Sequence, residues 1–233
     1  MQYEYVQCPK CGITNKVSLD SSDGVSVCGY CRSRLFPEQD TYFKEVDIEQ
    51  GTSLWHQWRK EGIGASDAPI IMGVSPWMDL NKLIQIKIGK AEQNFTSYPM
   101  HRGKLLEPTA RELYIEQVSI DVYPACLQSL EYEWMRASVD GICIENNCVV
   151  EIKCPGSEDH SLAIRGKIPK HYYPQLQHIL AVTGFSDIDY WSYRDDMGIL
   201  LNVPRDDDYI IELVTRENKV WKDIISKRSG RWK

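Results

Sequence analysis

Ser138-Val-Asp140-Gly-Ile-Cys-Ile-Glu-Asn-Asn-Cys-Val-Val-Glu151-Ile-Lys153-Cys-Pro155 reads as two strands around a turn. Asn tolerates the positive φ that two-residue hairpin turns require, so Asn146-Asn147 is expected at the tip. That register sets Glu145 opposite Cys148, Ile142 opposite Glu151 and Asp140 opposite Lys153. Side chains alternate faces along a strand, so Asp140, Glu151 and Lys153 share one. The two carboxylates become diagonal neighbours, roughly 7 Å apart at the backbone. They can converge on one hard cation such as Mg²⁺ or Mn²⁺, with the backbone carbonyl of Ile152 as a third oxygen. Such a cation acidifies a bound water and stabilises charge on phosphoryl oxygens. Lys153 reaches the same water or the scissile phosphate, and phosphodiester hydrolysis needs little more. The spacing alone also describes an ordinary hairpin with a solvated acid–lysine pair. The apolar run Val149-Val150-Glu151-Ile152 argues for a buried strand, where an acid and a lysine are costly unless used.

Working outward, apolar periodicity predicts helices over 54–60, 67–72, 80–88, 100–117, 171–183 and 209–227. Strands are expected at 118–123, 132–139, 142–145, 149–154, 187–194 and 199–203. This order gives an α/β fold, a central mixed sheet flanked by helices. Trp55, Trp58 and Trp77 are expected in the core rather than as base-stacking platforms. The chain is expected to divide into residues 1–36, a linker at 37–50 and a main domain at 51–233.

The first segment carries Cys8-Pro-Lys-Cys11 and Cys28-Gly-Tyr-Cys31. Two tight turns donating thiolates, with Val17, Leu19, Val25 and Val27 in a small hairpin, suit a tetrahedral zinc ribbon. Iron in the same cage and a pair of disulfides are the alternatives. The segment is too small for a core of its own, so a metal would supply folding energy. With four ligands the zinc would be structural. Cys126, Cys143, Cys148 and Cys154 are scattered and read as core or surface thiols.

The chain has 233 residues and a net charge of -6, from 27 Lys and Arg against 33 Asp and Glu. That sum argues against a surface basic all over. Basic residues nevertheless gather at 59–60, 101–104, 165–171 and 219–233. No stretch is apolar for long enough to cross a bilayer and the start lacks a signal-peptide pattern, so a cytoplasmic protein is expected. The absence of Gly-x4-Gly-Lys-Ser/Thr argues against an ATP motor.

Several motifs in order resemble the lambda-exonuclease or YqaJ-type viral recombinase branch of the PD-(D/E)xK nucleases. They are Trp58-Arg59-x4-Gly64-Ala65-Ser66-Asp67, Arg102-Gly103-x3-Glu107-Pro108-x-Ala110-Arg111, Ala137-Ser138-Val139-Asp140-Gly141, Glu151-Ile-Lys153-Cys154-Pro155 and Tyr173-Pro-Gln175-Leu-Gln177-His178. The resemblance covers roughly residues 54 to 205, and Val139 stands where the family has Pro. The resemblance implies a restriction-endonuclease-like core and Mg²⁺ or Mn²⁺ bound by Asp140 and Glu151. Lys153 would be catalytic, Glu107 would join the metal network, directly or through a second ion, and Gln175 would orient the lysine or the water. A salt bridge from Glu107 to Arg111 and a surface role for Gln175 are the plainer readings. Arg59 and Ser66 match the family's pocket for a DNA 5′-phosphate, with Ser66 expected as a helix N-cap; capping alone is the alternative. The resemblance also implies 5′-to-3′ digestion of double-stranded DNA ends, a ring-shaped trimer, a single-strand annealing protein as partner and, for a phage-encoded chain, the bacterial host cytoplasm. A structure-specific or nicking endonuclease, and an inactive zinc-ribbon adaptor binding DNA ends or protein, are the rival readings.

Overall fold

The computed structural model describes residues 3–8, 10–18, 28–31, 42–92 and 98–230, with the side chains of 98–100 excepted. The expected ribbon strand at 25–27, the first part of the linker and the last three residues lie outside them. The chain divides into two compact units, Met1–Thr41 and Tyr42–Lys233.

In the smaller unit, β1 (Tyr3–Gln7) pairs antiparallel with β2 (Thr14–Ser18), Gln7 opposite Thr14. β1 falls in a stretch where no strand was expected. Gly12, at φ 73°, turns the chain between the strands, and its amide donates to the Cys8 carbonyl. Only a residue without a Cβ adopts that φ at no cost.

The larger unit begins with β3 (Phe43–Glu45), which pairs with the sheet, so part of the expected linker is a structural strand. Helix α1 (Ser53–Lys60) starts at Thr52, whose hydroxyl accepts from the Trp55 amide. A two-residue strand β4 (Ile63–Gly64), a 3-10 turn (Ala65–Asp67), α2 (Ala68–Ile71) and α3 (Leu80–Lys87) follow. The long α4 (Tyr98–Val118) runs past its expected start and end by a residue or two. It stops at Ser119, which takes a positive φ, so the expected strand at 118–123 gives way to β5 (Tyr123–Ser129). β6 (Met135–Cys143) and β7 (Cys148–Lys153) form the central hairpin. Then come α5 (Ser157–Ile164), which the periodicity did not reveal, and α6 (Tyr173–Thr183). β8 (Asp187–Arg194), β9 (Met197–Pro204) and α7 (Asp207–Ser229) complete the chain.

The sheet runs β3-β5-β6-β7-β8-β9, with β4 beside β6 beyond the end of β7. Pairing is antiparallel except for β7 with β8 and β4 with β6. It is therefore the expected mixed sheet. A parallel β7–β8 pair needs a crossover, and α5 with α6 supply it. One face packs Leu176, Ile179 and Leu180 of α6 and Ile210 of α7 against Val139, Ile142, Val149 and Tyr190. The other packs Ala110 and Tyr114 of α4 against Val150, Ile152 and Trp191. Among the described residues no helix is long and apolar enough to cross a membrane.

Candidate active site

The central hairpin is paired two residues away from expectation. Cys143 faces Cys148, Ile142 faces Val149 and Gly141 faces Val150, leaving four residues, Ile144 to Asn147, in the turn. A one-residue slip would have turned every side chain to the opposite face, whereas a slip of two keeps each on its own. Ile142 and Val149 lie on the α6 face. Glu151, two beyond Val149, therefore lies on it too.

Asp140 sits at an irregularity in the strand. On the far side of β6, Ala125 faces Val139 but Tyr123 faces Ile142. Two steps along β5 match three along β6, a β-bulge at Asp140–Gly141. Val139 thus packs in the core, and the next residue, Asp140, turns its carboxylate to the Ile152 amide of β7. Pro124 sits opposite, where a missing N–H costs no ladder bond.

Glu151 is 2% exposed. Its Oε1 accepts from Lys153 Nζ at 2.5 Å and from Gln175 Nε2 at 2.5 Å. Its Oε2 is buried without a hydrogen bond among the described residues. Asp140 Oδ2 accepts from the Ile152 amide at 2.8 Å, and its carbonyl accepts from Arg111 Nε at 2.6 Å. Arg111 also pairs with Glu107 Oε1 at 2.5 Å, the bridge that was the plainer reading for Glu107. The Glu107 charge is still felt at both other carboxylates. Burial, then Glu151 and Glu107, hold Asp140 well above the usual carboxylate range. Burial raises Glu151 as well, although Lys153 and Gln175 oppose it. Burial works against the Lys153 ammonium, but Glu151 and Asp140 outweigh it and leave its pKa above that of ordinary lysine.

The donor set suits a hard divalent cation. Three carboxylates stand against Lys153 and Arg111, an excess of negative charge that raises proton affinity in the absence of a cation. The buried, unbonded Glu151 oxygen is costly as a structural feature and useful as a ligand. Gln175 was expected to orient the lysine or the water; it is buried on α6 and meets Glu151 instead, fixing which oxygen is left over. Tyr172, which no motif singles out, also belongs to the site. Its ring centroid lies 5.3 Å from Lys153 Nζ, a cation–π contact. Only its place beside the Tyr173-Pro-Gln175 motif could have signalled it.

Arg59 and Ser66 meet each other rather than the carboxylates. Arg59 Nη2 donates to Ser66 Oγ, and its guanidinium lies 4.5 Å from the Trp55 ring centroid. Ser66 sits inside the 3-10 turn and caps nothing. Asp67 does that work, its Oδ2 accepting from the Gly64 amide at 2.8 Å. Buried Lys87 pairs with Asp67 at 2.6 Å and donates to the carbonyls of Arg59 and Gly62, each at 2.8 Å. Trp55 Nε1 donates to Ser138 Oγ at 2.8 Å, tying α1 to the strand that carries Asp140.

In the smaller unit the sulfurs of Cys8, Cys11, Cys28 and Cys31 all lie within 4.8 Å of one another. Cys8–Cys31 and Cys11–Cys28 are each separated by 3.6 Å, too far for disulfides. A tetrahedral cage with ~2.3 Å metal–sulfur bonds has edges of about 3.8 Å. The cluster is thus of metal-binding size.

A mixed sheet between helices is an architecture shared with solved exonucleases. The chain belongs to the YqaJ-like viral recombinase domain family, which matches residues 54–186. It is 27% identical over 193 residues to the uncharacterized protein YqaJ of Bacillus subtilis (strain 168), covering 76% of this chain and 57% of that protein's length. The alkaline exonuclease LHK-Exo from Laribacter hongkongensis superposes with a TM-score of 0.66 at 25% identity, over 76% of this chain and 95% of its own. Its complex with dAMP gives 0.65 at 26%, with the same coverage. A phage-related exonuclease from Haemophilus somnus 129PT shares the fold, at 13% identity, a TM-score of 0.51 and coverage of 71% and 96%.

Proposed function

We propose that this chain is a divalent-metal-dependent DNA exonuclease acting 5′-to-3′ on duplex ends. The observation that carries the reading is the buried Glu151 carboxylate, with one oxygen held by Lys153 and Gln175 and the other unbonded beside Asp140. Glu151 Oε2, Asp140 and the Ile152 carbonyl would hold Mg²⁺ or Mn²⁺, with Glu107 at the edge of the set. When bound, the cation supplies an acidified water and charge neutralisation at the phosphate. Lys153, clamped between Glu151 and the Tyr172 ring, keeps its proton and faces the phosphoryl oxygens as a fixed cation. Arg59 with Ser66 takes the 5′-phosphate of the end, a charge-assisted contact that Lys87 positions by holding the backbone on either side. The four cysteines hold a structural zinc.

The likeness to LHK-Exo, a protein solved with dAMP, supports a DNA substrate. The decisive experiment is digestion of 5′-phosphorylated linear duplex beside a covalently closed circle in Mg²⁺. Wild type should degrade the linear form only and stop in EDTA. Glu151→Gln should slow digestion by about 10²–10³-fold while retaining DNA binding. Cutting of the circle would replace the exonuclease with an endonuclease; full activity of Glu151→Gln would remove the mechanism. Arg59→Ala should slow phosphorylated ends about 10- to 100-fold and hydroxyl ends far less, because only the former lose a charged hydrogen bond.

A further inference from the structure

Trp77 was expected in the core, but it is 67% exposed. Its ring is nevertheless held. It lies edge-on to His171, with centroids 4.8 Å apart, and stacks on Tyr172 at 6.2 Å and 30°. Tyr172 lies 6.0 Å from fully buried Tyr190, the residue beside Glu151 in the β7–β8 ladder. An aromatic column therefore runs from the sheet interior, past the Lys153 ammonium, to one exposed indole. Asp159 accepts from the Tyr172 hydroxyl at 3.5 Å and lies 3.3 Å from His171 Nε2 without a hydrogen bond to it. Laid end to end, the two separations from Lys153 to Tyr172 and on to Trp77 span about three steps of duplex at ~3.4 Å each.

The surroundings suit a nucleic-acid strand. Trp77 borders an open cavity of ≈ 570 Å³ with Ile70, Pro76, Met78 and Lys82 along it, within the size range of ligand pockets. Exposed Lys82 lies on this rim, and the loop that presents His171 and Tyr172 carries exposed Arg165, Lys167 and Lys170. Asp79 Oδ1 caps α3 through the Lys82 amide, and Asp159 accepts from the Tyr172 hydroxyl. An exposed indole of fixed orientation, with ammonium groups around it, matches the stacking-plus-phosphate chemistry that binds single-stranded DNA.

We propose that Trp77 is a nucleobase platform, stacking on an unpaired base of the strand that enters the carboxylate–lysine site. The proposal rests on the nuclease reading for its choice of ligand, and its test does not. In a Glu151→Gln background, binding is measured by fluorescence anisotropy on a labelled duplex with a short 5′ single-stranded overhang. One abasic nucleotide is stepped through the overhang. With Trp77 present, affinity should fall about 5- to 100-fold at one or two positions. Trp77→Ala should lose as much on intact DNA and become indifferent to the abasic position; Trp77→Tyr should restore both. Equal affinity with Trp77→Ala, or an unchanged abasic profile, refutes the platform and leaves the nuclease reading standing. A Trp77-dependent abasic profile in a chain whose wild type digests no DNA refutes the nuclease reading and leaves the platform. Failure to bind the overhang at all refutes the platform outright.

Discussion

At the scale of single residues, Gln175 is the side chain whose role depends most on a neighbour. It donates to the same Glu151 oxygen as Lys153 and so decides which oxygen remains for a cation. Supporting hydrogen bonds to metal-ligating carboxylates are typically worth about 10- to 100-fold in metal affinity. Gln175→Leu should therefore raise the Mg²⁺ concentration for half-maximal digestion by about that factor, with most of the maximal rate recovered at saturating metal. A metal titration that superposes on wild type would show that Lys153 alone orients Glu151. The carboxylates and the lysine were legible from residue type and spacing. The target of Gln175 was not, because it depends on how a helix more than twenty residues later crosses the sheet. Tyr172 escaped for the same reason, and Trp77 was misjudged because a lone tryptophan carries no periodic signal of exposure.

At the scale of elements, the bulge in β6 is the feature the sequence hid. Faces follow from alternation, and a register shift of an even number leaves them intact, which is why Glu151 and Lys153 keep the face expected of them. A bulge is defined by the partner strand, and the reading had placed that strand at 118–123, before its true position. Gly141 closes the bulge at a place with no room for a side chain. A Cβ there would meet Val122 Cγ2 and Val150 Cγ1, each at 2.7 Å. Both neighbours are β-branched and stiff, so neither yields readily. Gly141→Ala should cost about 1–3 kcal/mol in urea unfolding and should impair digestion through displacement of Asp140. Wild-type stability in this variant would mean that the strands splay freely, and that the bulge does not fix the aspartate.

At the scale of the whole molecule, the larger unit is tied together by a charged pair in its interior. His178 of α6 lies 2.8 Å from Glu217 of α7 through Nδ1, and its Nε2 lies 2.9 Å from the Arg136 carbonyl of β6. The Nε2 donates to the Arg136 carbonyl, so Nδ1 and Glu217 Oε1 share one proton, which charges the imidazole when the ring holds it. Burial opposes that charge, but Glu217 and the Arg136 carbonyl outweigh it and raise His178 above the ordinary value. Burial raises Glu217 too, against the pull of His178. The folded pair thus keeps a proton that the unfolded chain releases above about pH 6.5. Stability from this source is complete at lower pH and disappears as pH rises through the folded His178 pKa. The melting temperature of wild type should fall between pH 6 and 9 more steeply than that of a His178→Gln/Glu217→Gln double variant. Parallel slopes would mean that the pair does not hold the extra proton.

The same pattern of pairing makes one residue supernumerary. Without Asp140, Val139, Gly141 and Ile142 would alternate across the sheet without interruption, each already on its proper side. The aspartate proposed as a ligand is in effect an insertion into an otherwise regular ladder. A chain lacking it would have the tidier sheet and one carboxylate fewer beside Glu151, so a library screened for heat resistance alone would be free to discard the proposed activity.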